Sequence, residues 1–468
     1  MIQSLPVCWG RITGNLMKRS FFAIALTSLM TFTTNVAGAG PVAQGLLSQS
    51  EQALVEGNPQ LALELVQDVV AHDPSNYAAL IIISLAYADL GRDDEAAQTA
   101  QKAYQFAKDN DERLRAARIV AGARFQLGQY TRAQWWLRRA ANDAETPQET
   151  ATVAQEFARI RAANPLTINL SLSVAPSDNI NNGSEAESFF LEGLDVEFLL
   201  PESSLALSGI EYAGDLFATY ALSRDQTQVT QIQGYLFGRT FSLSSQSQAK
   251  VPELSGSDYA MIVTEASVNH SRLLNDGWGP TRLGVHAGKV WFGGDPLWDY
   301  TKLSFGQSIP DGDRDILNLW LSAEDRTARN PIISDTQVLH FSAVHQHSLQ
   351  SNDVIAVTLS GLSHYAAFET DTYTDYWGNI EYRFHQPMLG TRLSVSAGIG
   401  YKNYEEFTLS LDGRRDRYAS LGGTVVFDDV TYFGFAPTLT VTATRTESNV
   451  TQFTTSQLQA RVGIQSTF

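Results

Sequence analysis

The hydrophobic period of this sequence changes abruptly at Pro165. Upstream of this residue apolar side chains recur at helical spacing, whereas downstream they alternate strictly with polar ones. In the segment TINLSLSVA, which follows the change, one face of the predicted strand is apolar and comprises Ile168, Leu170, Leu172 and Val174. One element cannot satisfy both periods. The sequence therefore predicts a multidomain α + β protein, with a helical domain over 40–163 and an all-β domain over 164–468.

The first 39 residues are predicted to be a secretory signal peptide. Lys18 and Arg19 precede the short apolar run FFAIALTSLMTF, and a small-residue cleavage site ends at Ala39. Met17 is an alternative initiator. The apolar run has about a dozen residues, whereas a membrane span needs about twenty, so a membrane anchor is the weaker alternative. We expect an exported protein that is not itself lipidated.

Charge and cysteine content exclude several classes of function. The chain of 468 residues has a formal net charge of -17, which provides no excess of basic charge for binding nucleic acid. The single cysteine, Cys8, lies in the predicted signal peptide. The mature protein would then have no disulfide, no cysteine-based zinc site and no thiol catalysis, as suits an oxidising compartment.

The helical region contains an internal repeat. Its glycines at 57, 91 and 128 are each followed five residues later by alanines at 62, 96 and 133, at glycine intervals of 34 and 37 residues. This is close to the tetratricopeptide period of about 34, and small residues are needed where the two helices of a hairpin cross. A generic helical bundle is the alternative. Tetratricopeptide solenoids bind proteins in a concave groove, for which we single out Tyr87, Trp135 and Trp136, one of the two tryptophans being expected to pack inside.

The β region is predicted to be a closed barrel in a membrane. A soluble sandwich also has one apolar face, but the last strand alternates up to a C-terminal aromatic residue, as in outer-membrane barrels. Its apolar positions include Leu458, Val462, Ile464 and Phe468, which we interpret as a barrel assembly signal. A sheet in lipid has to close, and its polar face would then line a wet lumen.

The number of strands stays open from sequence alone. We find about fifteen candidates, including the segment FFLEGLDVEFLL, whereas a barrel with both ends in the periplasm needs an even number. Fourteen and sixteen strands both fit the length, and the region 203–273 is the hardest to divide. Aromatic residues near strand ends are predicted to form the girdles of the barrel; they are Tyr300, Trp377, Tyr382, Tyr401 and Tyr432.

The junction of the two domains carries a polar cluster, SDNINNG. The segment NPLTINLSLSVAPSDNINNGS resembles the first barrel strand of the surface lipoprotein assembly modifiers, the Slam family, which leads into a similar cluster. The matching positions are Asp178, Asn179, Ile180, Asn181 and Asn182. The family order is closer to Asp-Ser-Asn, so the match is permuted. Taken from the residues alone, the cluster is either a polar turn with caps and left-handed backbone, or a functional element that fixes the strand's exit or lines a client's path.

The resemblance implies a fourteen-stranded outer-membrane translocon with its helical domain in the periplasm of a Gram-negative bacterium. Its client would be a surface lipoprotein or a secreted haem-binding-type protein, and outer-membrane lipid, the barrel assembly machinery and periplasmic chaperones would be further partners. The alternative is a polysaccharide export porin with a periplasmic tetratricopeptide domain, and a third hypothesis is a general diffusion porin. No cofactor is implied.

Enzymatic and metal sites are not predicted. The sequence has no nucleophile elbow and no phosphate-binding glycine loop. Among its eight histidines, His345 and His347 share a strand face, whereas His340 has the opposite parity and supplies no third ligand. We interpret these histidines as polar residues of the lumen.

Overall fold

A computed structural model of the chain describes residues 41–190, 196–274, 277–430 and 432–466. The predicted signal peptide and the predicted assembly residue Phe468 lie outside this range. The described residues fall into a helical unit and a barrel unit.

The helical unit consists of three helical hairpins and a final helix. The helices, numbered α1 to α7, are Pro41–Val55, Pro59–His72, Tyr77–Asp89, Asp93–Phe106, Asn110–Gln126, Tyr130–Asp143 and Pro147–Ala163. Gly57, Gly91 and Gly128 end the first helix of each hairpin with φ of 77°, 71° and 71°. Because this left-handed backbone is strained in other residues, glycine is favoured at the turn.

The repeat alanines lie where the helices cross. The side chains of Ala62, Ala96 and Ala133 are fully buried, as the shared period predicts. Polar contacts also join adjacent hairpins, between residues that are about one repeat apart in sequence. The hydroxyl of Tyr77 donates to the carbonyl oxygen of Glu112 over 2.7 Å, and Arg118 Nη2 lies 2.6 Å from Glu156 Oε1. The tetratricopeptide-like architecture is confirmed.

The β region is a closed antiparallel barrel of fourteen strands. The strands are β1 Leu166–Ser177, β4 Gly209–Arg224, β5 Gln228–Leu243, β6 Met261–Arg272, β7 Thr281–Phe292, β8 Asp295–Asp311, β9 Asp315–Ala328, β10 Thr336–Ser348, β11 Val354–Ala366, β12 Tyr373–Arg383, β13 Thr391–Tyr404, β14 Arg414–Phe427, β15 Phe435–Ser448 and β16 Thr455–Ser466. β16 pairs with β1 to close the wall. Of the two strand numbers that the sequence allowed, fourteen is the one observed.

One predicted wall strand is not in the wall. The segment FFLEGLDVEFLL contributes instead to a separate two-stranded sheet of β2, Ser188–Phe190, and β3, Glu197–Leu199. A strand run that is apolar on consecutive positions lacks the alternation that a barrel wall requires. The long connection between β5 and β6 contains a short helix α8, Ser245–Lys250, and a 3₁₀ turn, Gly256–Tyr259.

The strand order defines two ends of the barrel. β1 begins and β16 finishes at one end, which we call the terminal end, and the connection β1–β4 lies at the other, the distal end. The two longest connections, 178–208 and 244–260, are both distal. Connections at the terminal end, such as 225–227 and 312–314, are short. This asymmetry between short turns and longer loops is typical of outer-membrane barrels.

Burial alternates along the strands. On β14 the odd-numbered positions, including Leu421 at 66% exposure, point outward, and the even-numbered ones, such as Tyr418 and Ser420, point into the lumen. Outward positions are mostly apolar through the middle of each strand. None of the helices in the described ranges combines the length and the hydropathy that are needed to cross a membrane.

Two of the predicted girdle residues, Trp377 and Tyr300, point into the lumen instead of toward the outside of the barrel. Trp377 has the opposite parity to the exposed Tyr376 and stacks on Tyr418 across the lumen wall at 5.3 Å between ring centroids. Tyr300 is buried, and its hydroxyl donates to Glu265. Position near a strand end does not determine the face, because the face depends on register.

Candidate functional sites

The SDNINNG cluster begins where β1 ends, at the distal end of the barrel. Its second and third members, Asp178 and Asn179, bond to β16. The carboxylate of Asp178 accepts from the backbone N–H of Leu458 over 2.8 Å, and the side chain of Asn179 donates to the carbonyl oxygen of Ser456 over 3.1 Å. In return, the Gln457 side chain donates to the carbonyl oxygen of Asn179 over 2.6 Å. The cluster thus extends the connection between the first and last strands beyond the end of β1.

Asn179 is the most buried polar residue of the cluster, at 1% exposure. Besides Ser456, its amide group donates to the carbonyl oxygen of Gly183, and its side-chain oxygen accepts from the N–H of the same residue. Gly183 is packed against the backbone of Leu205 so closely that a Cβ would overlap it. The chain therefore needs glycine at this position and an amide side chain at 179.

The other members of the cluster fix the loop that follows. Asn181 donates to the carbonyl oxygens of Ser203 and Leu205 and accepts from the N–H of Leu207. Asn182 has φ of 51°, in the left-handed region that asparagine tolerates. Ile180 is buried in a small apolar cluster with Leu207, Phe241 and Val251. These contacts are those of a structural turn, and a role in lining a client's path stays a prediction.

The cluster reinforces a position at which the wall is interrupted. Pairing of β1 with β16 runs from Leu172 to Val174 and resumes at Ser177, while β1 pairs with β4 without a break. Pro176 lies in the gap, and proline has no N–H to donate to a neighbouring strand. The side-chain bonds of Asp178 and Asn179 follow directly after this gap.

The predicted assembly residues of β16 lie on its outward face. Leu458 and Val462 are each 55% exposed, and Ile464 is 38% exposed. The alternation predicted for this strand is present over the residues described, and recognition by assembly machinery stays a prediction.

The predicted groove residues of the helical unit divide between its core and its surface. Trp136 is buried, with its ring edge-on to Tyr104 at 5.3 Å. Trp135 is 52% exposed. Tyr87 is partly buried against the helical core, and the guanidinium of Arg92 lies over its ring at 4.3 Å. Of the three residues, Trp135 is therefore the one that offers a large apolar surface.

Several of the charges that point into the lumen are paired. Lys302 lies 2.6 Å from Glu265, Arg414 lies 2.6 Å from Asp416, and Arg461 on β16 lies 2.8 Å from Glu211 on β4. Glu265 also accepts from Tyr300 and contacts the ring nitrogen Nδ1 of His286 at 2.7 Å. Between the charged regions the wall is neutral, since the inward residues of β15 are mostly threonines from Thr438 to Thr446. The lumen wall is polar without a single dominant sign.

The interpretation of two histidines was wrong. His345 and His347 have the same strand parity as the exposed Leu339 and Phe341, so they point outward rather than into the lumen. Both contact Asp315, at 3.1 and 2.8 Å. Leu339 and Phe341 stand at odd-numbered positions of this strand, as both histidines do, so the outward direction of the histidines follows from the sequence. Across the part of the chain that the structure describes, no group of three or more histidine, cysteine or acidic side chains could hold a metal ion.

Sequence reasoning missed the partners of the polar cluster and the outward charges of the distal end. Ser456, Gln457 and Leu207 are distant in sequence, and only the register brings them to the cluster. Arg417 and Arg445 are different, because each is a charge at an outward position of a strand. That break in alternation is visible in the sequence.

The chain combines a tetratricopeptide-like helical unit with a closed fourteen-stranded barrel whose outer face is apolar. This defines its class as a barrel of the outer-membrane type that carries a helical unit. Comparisons of sequence add no family, because no family model matches the chain and no curated protein is detectably similar to it.

Solved structures resemble the two units separately. The first TPR domain of the human RPAP3 protein is 21% identical, with 26% of this chain and 94% of that chain covered and a TM-score of 0.24. A bacterial polysaccharide outer membrane secretin is 10% identical over 64% of this chain and 98% of that chain, with a TM-score of 0.33. A loop-deletion mutant of OmpT, an outer membrane protein of Vibrio cholerae, is 8% identical over 65% and 99%, with a TM-score of 0.34. At these values the fold assignment depends on the chain's own helix order and strand pairing.

Proposed function

We propose that this protein is an outer-membrane translocon of the Slam type, which delivers a client protein to the cell surface. In this proposal the barrel stands in the outer membrane with its terminal end toward the periplasm. The helical unit is periplasmic and recruits the client, and the barrel provides the route.

The observation that carries the proposal is the presence of two complementary units in one chain. Stacked helical hairpins form extended surfaces that bind protein segments, and Trp135 offers an exposed aromatic side chain on such a unit. Aromatic residues of this kind are frequent anchors in protein interfaces. A simple diffusion porin would have no use for this surface.

The lumen supports a protein client over a charged polysaccharide. Selection of a charged polymer would need an excess of one sign along the wall. Here Glu265, Asp416 and Glu211 are each matched by a basic side chain. A polar wall without a single dominant sign disfavours neither acidic nor basic segments of a polypeptide.

The proposal is tested by co-expressing the protein with a candidate client from a neighbouring gene and measuring surface exposure of the client by protease shaving of intact cells. We expect exposure to require this protein and to fall when Trp135→Ala removes the exposed aromatic ring. Phe106→Ala is the matched control, since Phe106 is an aromatic residue of the same unit that is 44% exposed and is not among the predicted groove residues. Equal client exposure with and without the protein would contradict the proposal.

A further inference from the structure

The outer face of the barrel has a groove near its distal end. It has a volume of about 930 Å³ and is lined mostly by outward residues of β10 to β15. Its floor lies where side chains are missing or small, at Gly361, Gly378 and Ala419. Its sides are large apolar residues, among them Leu359 at 59% and Ile399 at 71% exposure.

Strand register arranges the groove in two adjacent rungs across the wall. The first rung is apolar until its last position and runs Leu359, Gly378, Ile399, Ala419 and Arg445. The second rung, one step closer to the distal end, runs Gly361, Tyr376, Tyr401, Arg417 and Glu447. The apolar band of the barrel therefore ends here, and tyrosines and charges begin.

The charge at this boundary is basic. Arg445 lies 3.2 Å from Glu447, and both side chains are largely exposed. Arg417 forms no ion pair with any other described residue, so one positive charge of the groove is unmatched. Arg417 lies on the same rung as Tyr401, its direct neighbour, and Tyr376. In membrane proteins, tyrosines at the edge of the apolar band lie at the depth of the lipid headgroups.

We propose that this groove binds a phosphorylated, multiply acylated glycolipid of the outer leaflet, the lipid A type. An acyl chain would lie over Gly378 and Ala419, and the phosphate would contact Arg417 and Arg445, since guanidinium groups bind phosphate through paired hydrogen bonds. The proposal rests on the outer-membrane placement above, because that placement puts the distal end in the outer leaflet.

Native mass spectrometry of the full-length protein in detergent, with lipid A, phosphatidylglycerol and phosphatidylethanolamine added separately, tests the proposal. We expect lipid A to be retained in preference to both phospholipids. The double variant Arg417→Gln/Arg445→Gln should retain it at least about tenfold less well. Arg329→Gln is the matched control, because Arg329 is exposed at the same end of the barrel but outside the groove.

A second variant tests the apolar half of the groove without changing charge. A Cβ at Gly378 meets only the side chain of Leu359 at 3.6 Å, so Gly378→Leu fills the floor without a clash at Cβ. We expect it to reduce lipid A retention while the barrel keeps its heat-modifiable mobility on gels. Equal retention by wild type and both groove variants, or equal retention of phosphatidylglycerol, would overturn the proposal. Loss of heat modifiability in the wild type would instead refute the outer-membrane placement.

Discussion

Replacing Asn179 with alanine should destabilise the barrel. The side chain takes part in three hydrogen bonds, of 2.9 and 3.1 Å as donor and 2.7 Å as acceptor, and it is almost completely buried. With a net contribution of about 1 kcal/mol for each bond, the substitution should cost about 2–4 kcal/mol. This corresponds to roughly a hundredfold change in the unfolding equilibrium.

The cost can be measured by denaturant unfolding in detergent micelles, followed by tryptophan fluorescence and by the gel shift of the folded barrel. Asn330→Ala is the control, since Asn330 also lies in a distal loop but its side chain accepts a hydrogen bond from the N–H of Ile332 alone among the described residues. We expect the control to lose less than about 1 kcal/mol. Equal midpoints for Asn179→Ala and Asn330→Ala would refute the conclusion that the cluster stabilises the contact between β1 and β16.

Three further predictions concern the helical unit and can be checked by circular dichroism of the full-length protein. Gly91→Ala should lower its stability by about 1 kcal/mol, because the backbone there is left-handed although space is open. Arg118→Ala should cost about 1.5–3 kcal/mol by leaving the mostly buried Glu156 unpaired, and a double-mutant cycle of the two residues should show coupling. The Ser75 hydroxyl holds the pKa of Asp73 below its usual range; its stabilising effect is therefore present above the unfolded-state pKa and lost on acidification. The stability difference between wild type and Asp73→Asn should begin to shrink below about pH 4 and should vanish once the pH is below the folded-state pKa; a difference that does not change on acidification would contradict this assignment.

Much of the fold follows from local pattern. The turn glycines such as Gly91 and the small crossing residues such as Ala96 define the repeat because close helix packing allows few alternatives at those positions. The alternation from Ile168 to Val174 likewise predicts both the strand and its outward face. Those predictions need no information from distant parts of the chain.

The errors arise where the outcome depends on register or on distant partners. Trp377 and His345 were assigned to the wrong face, since aromatic or polar character alone does not fix the direction of a side chain in a strand. The role of Asn179 depends on Ser456, nearly the whole barrel away in sequence. Such contacts form only when the first and last strands pair, so the local sequence does not predict them.

The central claim is that residues 166–466 form a closed barrel in lipid, with an apolar outside and a wet lumen. Single cysteines at Ser420 and Leu421, introduced into the mature protein and probed in native outer membranes with a membrane-impermeant maleimide, test it most directly. Leu421 is the more exposed residue in the bare structure, yet we predict that Ser420→Cys is labelled through the aqueous lumen and that Leu421→Cys is shielded by lipid. Preferential labelling of Leu421→Cys would contradict the account.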